Sequence, residues 1–181
     1  MNSQNTLQED EVSRAFLRQA RRLLRGEYLP KLESCLNILS DEQIWWRANS
    51  ESNSIGNLCL HLAGNARQWI VSGLSGEIDA RARQREFDER AMIPRSELLS
   101  SLRETMDDVD AVLAKFDLER CLKQHEIQGS KVTALEAIFH VTEHFSMHTG
   151  QIILLTKMLS RKDLGFYDFS TGVPVPAWLE Q

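Results

Sequence analysis

Between Pro94 and Phe116 the apolar residues fall at Leu98, Leu102, Met106, Val109, Leu113 and Phe116, in steps of four and three. A strand, which repeats every two residues, cannot use that pattern; on a helix it draws one apolar seam along one side. Such a seam has to be buried against another element, so the pattern restricts the chain to packed helices. Three other segments carry the same period. The first starts behind Glu9-Asp10-Glu11 with Val12, Phe16, Ala20 and Leu23, and resumes after Gly26 and Pro30 with Leu32, Leu36 and Leu39. A kink or break is expected near Pro30. The second opens at "SNSIGNL", where Asn53 or Ser54 can cap it, and runs to Gly73 and Gly76. The last spans Val132 to Leu159. With no convincing alternating strand and no internal repeat, the expected fold is all-α, a four-helix bundle forming a single domain over residues 1–181. A long charged connection, "EIDARARQREFDERAMI", joins helices 2 and 3 as either a short helix or a crossover loop, and the tail "GFYDFSTGVPVPAWLE" reads as an irregular C-terminal strap.

Charge and composition narrow the function. A chain of 181 residues can bury a real core, and a mean hydropathy of -0.34 belongs to a soluble protein. A net charge of -5 argues against a nucleic-acid partner, which needs a basic face. The one basic run, "RQARRLLR" at residues 18–25, reads as the solvated side of an amphipathic helix, with an anion or partner patch as the alternative. No apolar run approaches the roughly 18 residues of a membrane span, and the polar, acidic N-terminus lacks the apolar stretch of a signal peptide. Cys35, Cys59 and Cys121 are an odd, scattered set, expected as reduced thiols in the cytoplasm. Cys35 and Cys59 sit in apolar patterns as core fillers, Cys121 is expected to be more exposed, and none is a candidate nucleophile.

The stretch "HVTEHFSMHTGQIILLTKML" holds His140, His144 and His148 at intervals of four. With about 100° per residue and His144 at zero, Ala137 and Leu155 fall near 20°, Val141 near 60°, Ile152 near 80° and Phe145 near 100°. His148, at about 40°, lies inside that apolar face and His144 at its margin; His140, at about -40°, lies on the polar flank with Glu136 and Glu143. Two imidazoles one turn apart can grip one ion, whereas i and i+8 stand about 12 Å apart, so the three cannot share a metal. The facing favours His144 and His148. The alternative is a pair of hydrogen-bonded core histidines, each needing a buried partner and repelling the other if charged. Further ligands of the same type are confined to His61, at the border of its helix's apolar face, and His125, in "LKQHEIQG", which reads as a surface residue.

"SIGNLCLHLAGNARQW" followed by "EHFSMHTGQI" resembles the DinB-like superfamily of four-helix-bundle metalloenzymes, in a likeness that covers almost the whole chain and includes "LPKLESCLNILSDEQIWWR", "REF" at residues 85–87 and "DLGFYDF". The resemblance implies that His61, His144 and His148 bind one divalent metal and leaves His140 outside. Three neutral imidazoles leave a coordination position open, the composition of a catalytic site, and they suit Zn, Ni, Fe or Co. The family further implies a thiol-dependent S-transferase using a low-molecular-weight thiol and a small-molecule electrophile, with a metal-dependent hydrolase or a non-catalytic metal- or ligand-binding bundle as alternatives. Asn65, Gln151 and Glu143 are candidates to orient the ligating rings. Arg67, Arg81, Arg83 and Arg85 could contact an anion, or form a solvated charged segment. Members are often homodimers, and Trp45, Trp46, Trp69 and Trp178 include candidates for such a surface.

Overall fold

The computed structural model describes residues 3–179, so Met1, Asn2, Gln181 and, of the expected strap, Glu180 lie outside the described residues. The chain opens with α1 (Ser3–Leu23), a π-helical turn at Leu24–Tyr28 and α2 (Leu29–Ile38), which follow one another without leaving helical dihedrals. Of the kink or break expected near Pro30, the break is absent. The helical run passes through Pro30 directly after a widened π-helical turn, in which Leu29 N–H reaches back to Leu24 O. The buried side of α1 is Leu17 and Ala20, continued by Leu24 of the π-helical turn, while Val12 is 65% exposed, so the seam is rotated from the expected one.

After one turn of α3 (Asp41–Ile44), Ser54 caps α4 (Ile55–Ala66) in a reciprocal box with Asn57. A π-helical turn (Arg67–Ser72) and α5 (Gly73–Ser75) extend this helix to Gly76, which ends it at φ 85°. The charged connection forms the short helix α6 (Arg83–Asp88), and α7 (Arg95–Ala114) buries Leu98, Leu102, Met106, Val109 and Leu113, as its spacing demands. The expectation of no strands is corrected at "QHEIQGSKVT". There β1 (Gln124–Ile127) pairs antiparallel with β2 (Ser130–Thr133) across Gln128 and Gly129, whose φ values of 52° and 75° make the tight two-residue turn that suits strand twist. Ile127 packs on Gly73, and His125, expected at the surface, is half-buried with Nδ1–H donating to Gly73 O at 3.0 Å. Thr133 ends the hairpin and caps α8 (Ala134–Ser160) in a box with Glu136.

α2 and α4 each pack against both α7 and α8, around a core that includes Leu32, Leu36, Leu62, Leu102, Val141 and Phe145. The molecule is thus mostly helical with two small strand pairs. The second pair, β3 (Tyr167–Asp168) with β4 (Val175–Pro176), stiffens the tail. Lys31 and Gly26 hold that tail to the α1–α2 junction, through Tyr167 Oη at 2.9 Å and Trp178 Nε1 at 2.9 Å. Cys35 and Cys59 are buried, and so is Cys121, against expectation. The basic run lies on the solvent side of its helix, as expected, with Arg18, Arg22 and Arg25 exposed; Arg21 and Arg25 also pair with Asp110 and Asp107 of α7, each at 2.7 Å. No described helix is long and apolar enough to cross a membrane.

Candidate metal centre

Along α4 and into the π-helical turn that continues it, Asn57, His61, Gly64 and Gln68 follow one another at four, three and four residues, and so share one helical face. That face receives the connection running from α5 to α7. Asn57 Nδ2 donates to Glu86 O at 2.7 Å; Gln68 Oε1 accepts from Arg81 Nη1 at 2.9 Å, and its amide donates to Asp79 at 2.7 Å. A Cβ at Gly64 would overlap the Glu86 carboxylate, so glycine is needed where the connection presses closest. Glu86 and Arg81 meet there in a two-pronged ion pair, Nε to Oε1 at 2.7 Å and Nη2 to Oε2 at 2.8 Å, with side chains only 11% and 5% exposed.

The pair is aimed at His61. Glu86 Oε2 lies 2.9 Å from His61 Nδ1, closer than Arg81 Nη2 at 3.1 Å, whose protons have acceptors in Glu86 Oε2 and His61 O; a carboxylate only accepts, so Nδ1 carries the ring proton and Nε2 keeps its lone pair. Burial works to raise the Glu86 pKa, but the hydrogen bonds and charges of Arg81 and His61 prevail and hold it below the usual carboxylate value. Glu86 therefore stays ionised and the His61 tautomer is fixed. Across from α4, α8 brings His144 Nε2 to 2.9 Å from His61 Nε2, and His148 stands edge-on to both rings, with centroids 4.4 Å from His144 and 5.2 Å from His61. One ring nitrogen from each of the three lies within 4.8 Å of the others. His148 Nδ1–H donates to Gln151 Oε1 at 2.7 Å, again leaving Nε2 with the lone pair. Burial, with His148, His61, His140 and Arg81 nearby, pushes the His144 pKa down to about 3; burial likewise lowers that of His148. His144 and His148 are thereby kept in the neutral form that ligates metals.

His140 stands outside this group. It is half-buried rather than on a polar flank, with its ring 4.1 Å from that of Trp69 and its Nε2 accepting from Asn65 Nδ2 at 3.2 Å. Of the side chains expected to orient ligands, Gln151 does contact His148, but Asn65 contacts His140 rather than His61. Glu143 is exposed and acts on His140 and His148 only through its charge. The residue that does orient His61, Glu86, was hidden in a segment whose composition looks solvated, and Arg81 is its buried anchor, neither a solvated charge nor a free anion contact. A polar stripe at helical spacing on an otherwise apolar α4 was the available signal: buried polar groups require partners, and a charged segment close by can supply them.

Mostly helical packing, with three imidazoles from two helices converging at the edge of the core, defines a helical histidine-cluster protein, and comparison with known proteins gives it a family. Residues 11–172 match the family described as "Protein of unknown function (DUF1572)", and the chain belongs to that family. Among solved structures it is similar to the crystal structure of a DinB-like protein from Bacillus cereus ATCC 10987, with a TM-score of 0.59 and 14% identity, over 74% of this chain and 86% of that one. At that identity the likeness is one of fold, and the fold is DinB-like. No curated protein matches the chain.

Proposed function

We propose that His61, His144 and His148 bind one divalent transition metal (Zn, Ni, Fe or Co), and that the protein is a metal-dependent enzyme acting on a small molecule. The observation that carries this is the convergence of three ring nitrogens within 4.8 Å, with two of the rings held by acceptors on their far nitrogens. Such an arrangement suits a metal because His61 and His148 turn the lone pair of Nε2 toward the cluster, and His144 brings a third ring nitrogen to 2.9 Å from that of His61. A metal in this site would supply Lewis acidity with a coordination position left open. The chain's own contribution is orientation: Glu86, anchored by Arg81, fixes His61, and Gln151 fixes His148. His144 and His148 remain only half-buried, so a small molecule can approach from the side of α8. The DinB-like resemblance favours a thiol-dependent S-transferase that uses a low-molecular-weight thiol within a single-domain four-helix bundle in the cytoplasm; a hydrolase is the alternative chemistry and a non-catalytic binding bundle the alternative class.

Elemental mass spectrometry of untagged protein tests the site. We expect about one transition metal per chain in the wild type and loss of it in His61→Ala, His144→Ala and His148→Ala, with the folded helical signal kept. A wild type that neither carries metal nor takes up Zn or Ni would overturn the reading. Incubating the metal-loaded protein with small thiols and electrophiles then separates the chemistries: a thioether product marks the transferase, addition of water the hydrolase, and no product the binding protein.

A further inference from the structure

Phe87 of α6 walls the histidine cluster on one side, half-buried, with its ring centroid 4.7 Å from that of His61. Against the Phe87 ring stands Arg83, one helical turn earlier, its guanidinium carbon 4.8 Å from the centroid. The contacts thus run from a ligating ring, through an apolar one, to a cation. Both residues are held in place from outside the cluster. Asn57 Nδ2 donates to Glu86 O at 2.7 Å and Arg47 Nη2 to Glu89 O at 2.9 Å, which ties α6 to α4 and to the segment after α3.

The charge of Arg83 has no use inside the chain. Of the arginines open to an anion by sequence, Arg67 donates to Asp108 at 2.8 Å, and Arg81 is closed by Glu86 and Gln68. Arg85 is exposed and its side chain meets no ring and no acceptor among the described residues. Arg83 is exposed too and makes no ion pair or hydrogen bond with any described residue, yet it is stacked on the ring that walls the cluster. A guanidinium laid on an aromatic face keeps its in-plane N–H groups free, and that fork matches a carboxylate. On the metal reading of the cluster, we infer that the small molecule handled there carries a carboxylate, which Arg83 receives. An apolar stretch of that molecule lies along Phe87, and the group that meets the metal is at its other end. One guanidinium balances one negative charge, which favours a carboxylate over a phosphate dianion. Arg83 is a binding residue for the small molecule; it neither ligates the metal nor orients a ligating ring.

Thiolate-to-metal charge-transfer absorbance of the cobalt-loaded protein tests this with a matched pair of thiols, ω-mercaptohexanoate and ω-mercaptohexanol. Both offer the metal the same sulfur, and they differ in the carboxylate. The wild type is expected to bind the acid about threefold to tenfold more tightly than the alcohol, the worth of a charged fork at an exposed site. Arg83→Gln should bring the acid to the affinity of the alcohol, Arg83→Glu should invert the preference, and Arg85→Gln should keep it. Cobalt content, measured beforehand by elemental mass spectrometry, is expected to be the same in the wild type and in every variant. A wild type that takes up no cobalt overturns the metal reading, and the carboxylate with it, before any thiol is added. A loaded wild type that binds both thiols alike, or neither at millimolar concentration, overturns the carboxylate while leaving the metal. So does a preference that survives Arg83→Gln, or one lost equally in Arg85→Gln, which would assign it to the charge of the whole connection.

Discussion

A single carboxylate decides which nitrogen of His61 faces α8. Glu86 accepts from Nδ1 and is held ionised by Arg81, so replacing it removes a constraint on the ring more than a contact with any ligand. Glu86→Gln is expected to weaken metal binding by about 10- to 100-fold, the usual effect of losing such a partner. Titration against a chromophoric chelator reads this directly, and an unchanged affinity would mean that Glu86 serves only to hold the connection in place. Protonation acts on neighbouring groups in a defined direction. The pKa values of His140, His144 and His148 are all lowered, that of His144 to about 3, so with a chelator present the folded state resists taking up protons that the unfolded chain accepts. Stability from these rings is complete above the ordinary imidazole value of about 6.5 and is lost as pH falls below it. The carboxylates of Glu86 and Asp110, also lowered, add a further loss at more acid pH. Melting temperatures measured without metal should therefore fall steadily from pH 7 to pH 4; a flat profile would show that the rings are more solvated than their surroundings indicate.

At the scale of elements, α4 is read from two sides. Its apolar residues Leu58 and Leu62 enter the core, while the stripe from Asn57 to Gln68 accepts the polar connection, which keeps α6 against the helix. Gly64 is where the two elements touch. Gly64→Ala gains helix propensity yet forces the Glu86–Arg81 pair away from α4, and we expect a net destabilisation of about 1–3 kcal/mol, the range for overpacking a filled site. Chemical denaturation of the apo protein reports the stability change, and metal titration should show weaker binding in the same variant because Glu86 is displaced from His61. A stabilised Gly64→Ala would mean that the connection yields without cost. The hairpin β1–β2 shows the opposite dependence: Gln128-Gly129 is a local turn signal between residues of partial alternation, but its four-residue strands are too short to stand out against the surrounding helical period.

For the whole molecule, the histidine cluster joins α4 to α8 at the margin of the core. Chelation of the proposed metal is expected to lower the melting temperature through linkage to the folded state, read by calorimetry with and without chelator. The sequence by itself determined the helical class, a cap at Asn53 or Ser54, the buried seam of α7 and the histidines able to ligate an ion, because period, capping chemistry and residue type are local properties. It could not determine that Pro30 lies in an unbroken helical run, since a widened turn precedes it, nor that Cys121 is buried and His125 half-buried, since packing of the hairpin decides that. Only the tertiary structure placed His61 of α4 against His144 of α8 and laid Glu86 and Arg81 over them. Burial of a charged segment depends on which partners the fold brings within hydrogen-bonding distance, and residues 61, 81, 86 and 144 have no local relation that could reveal it.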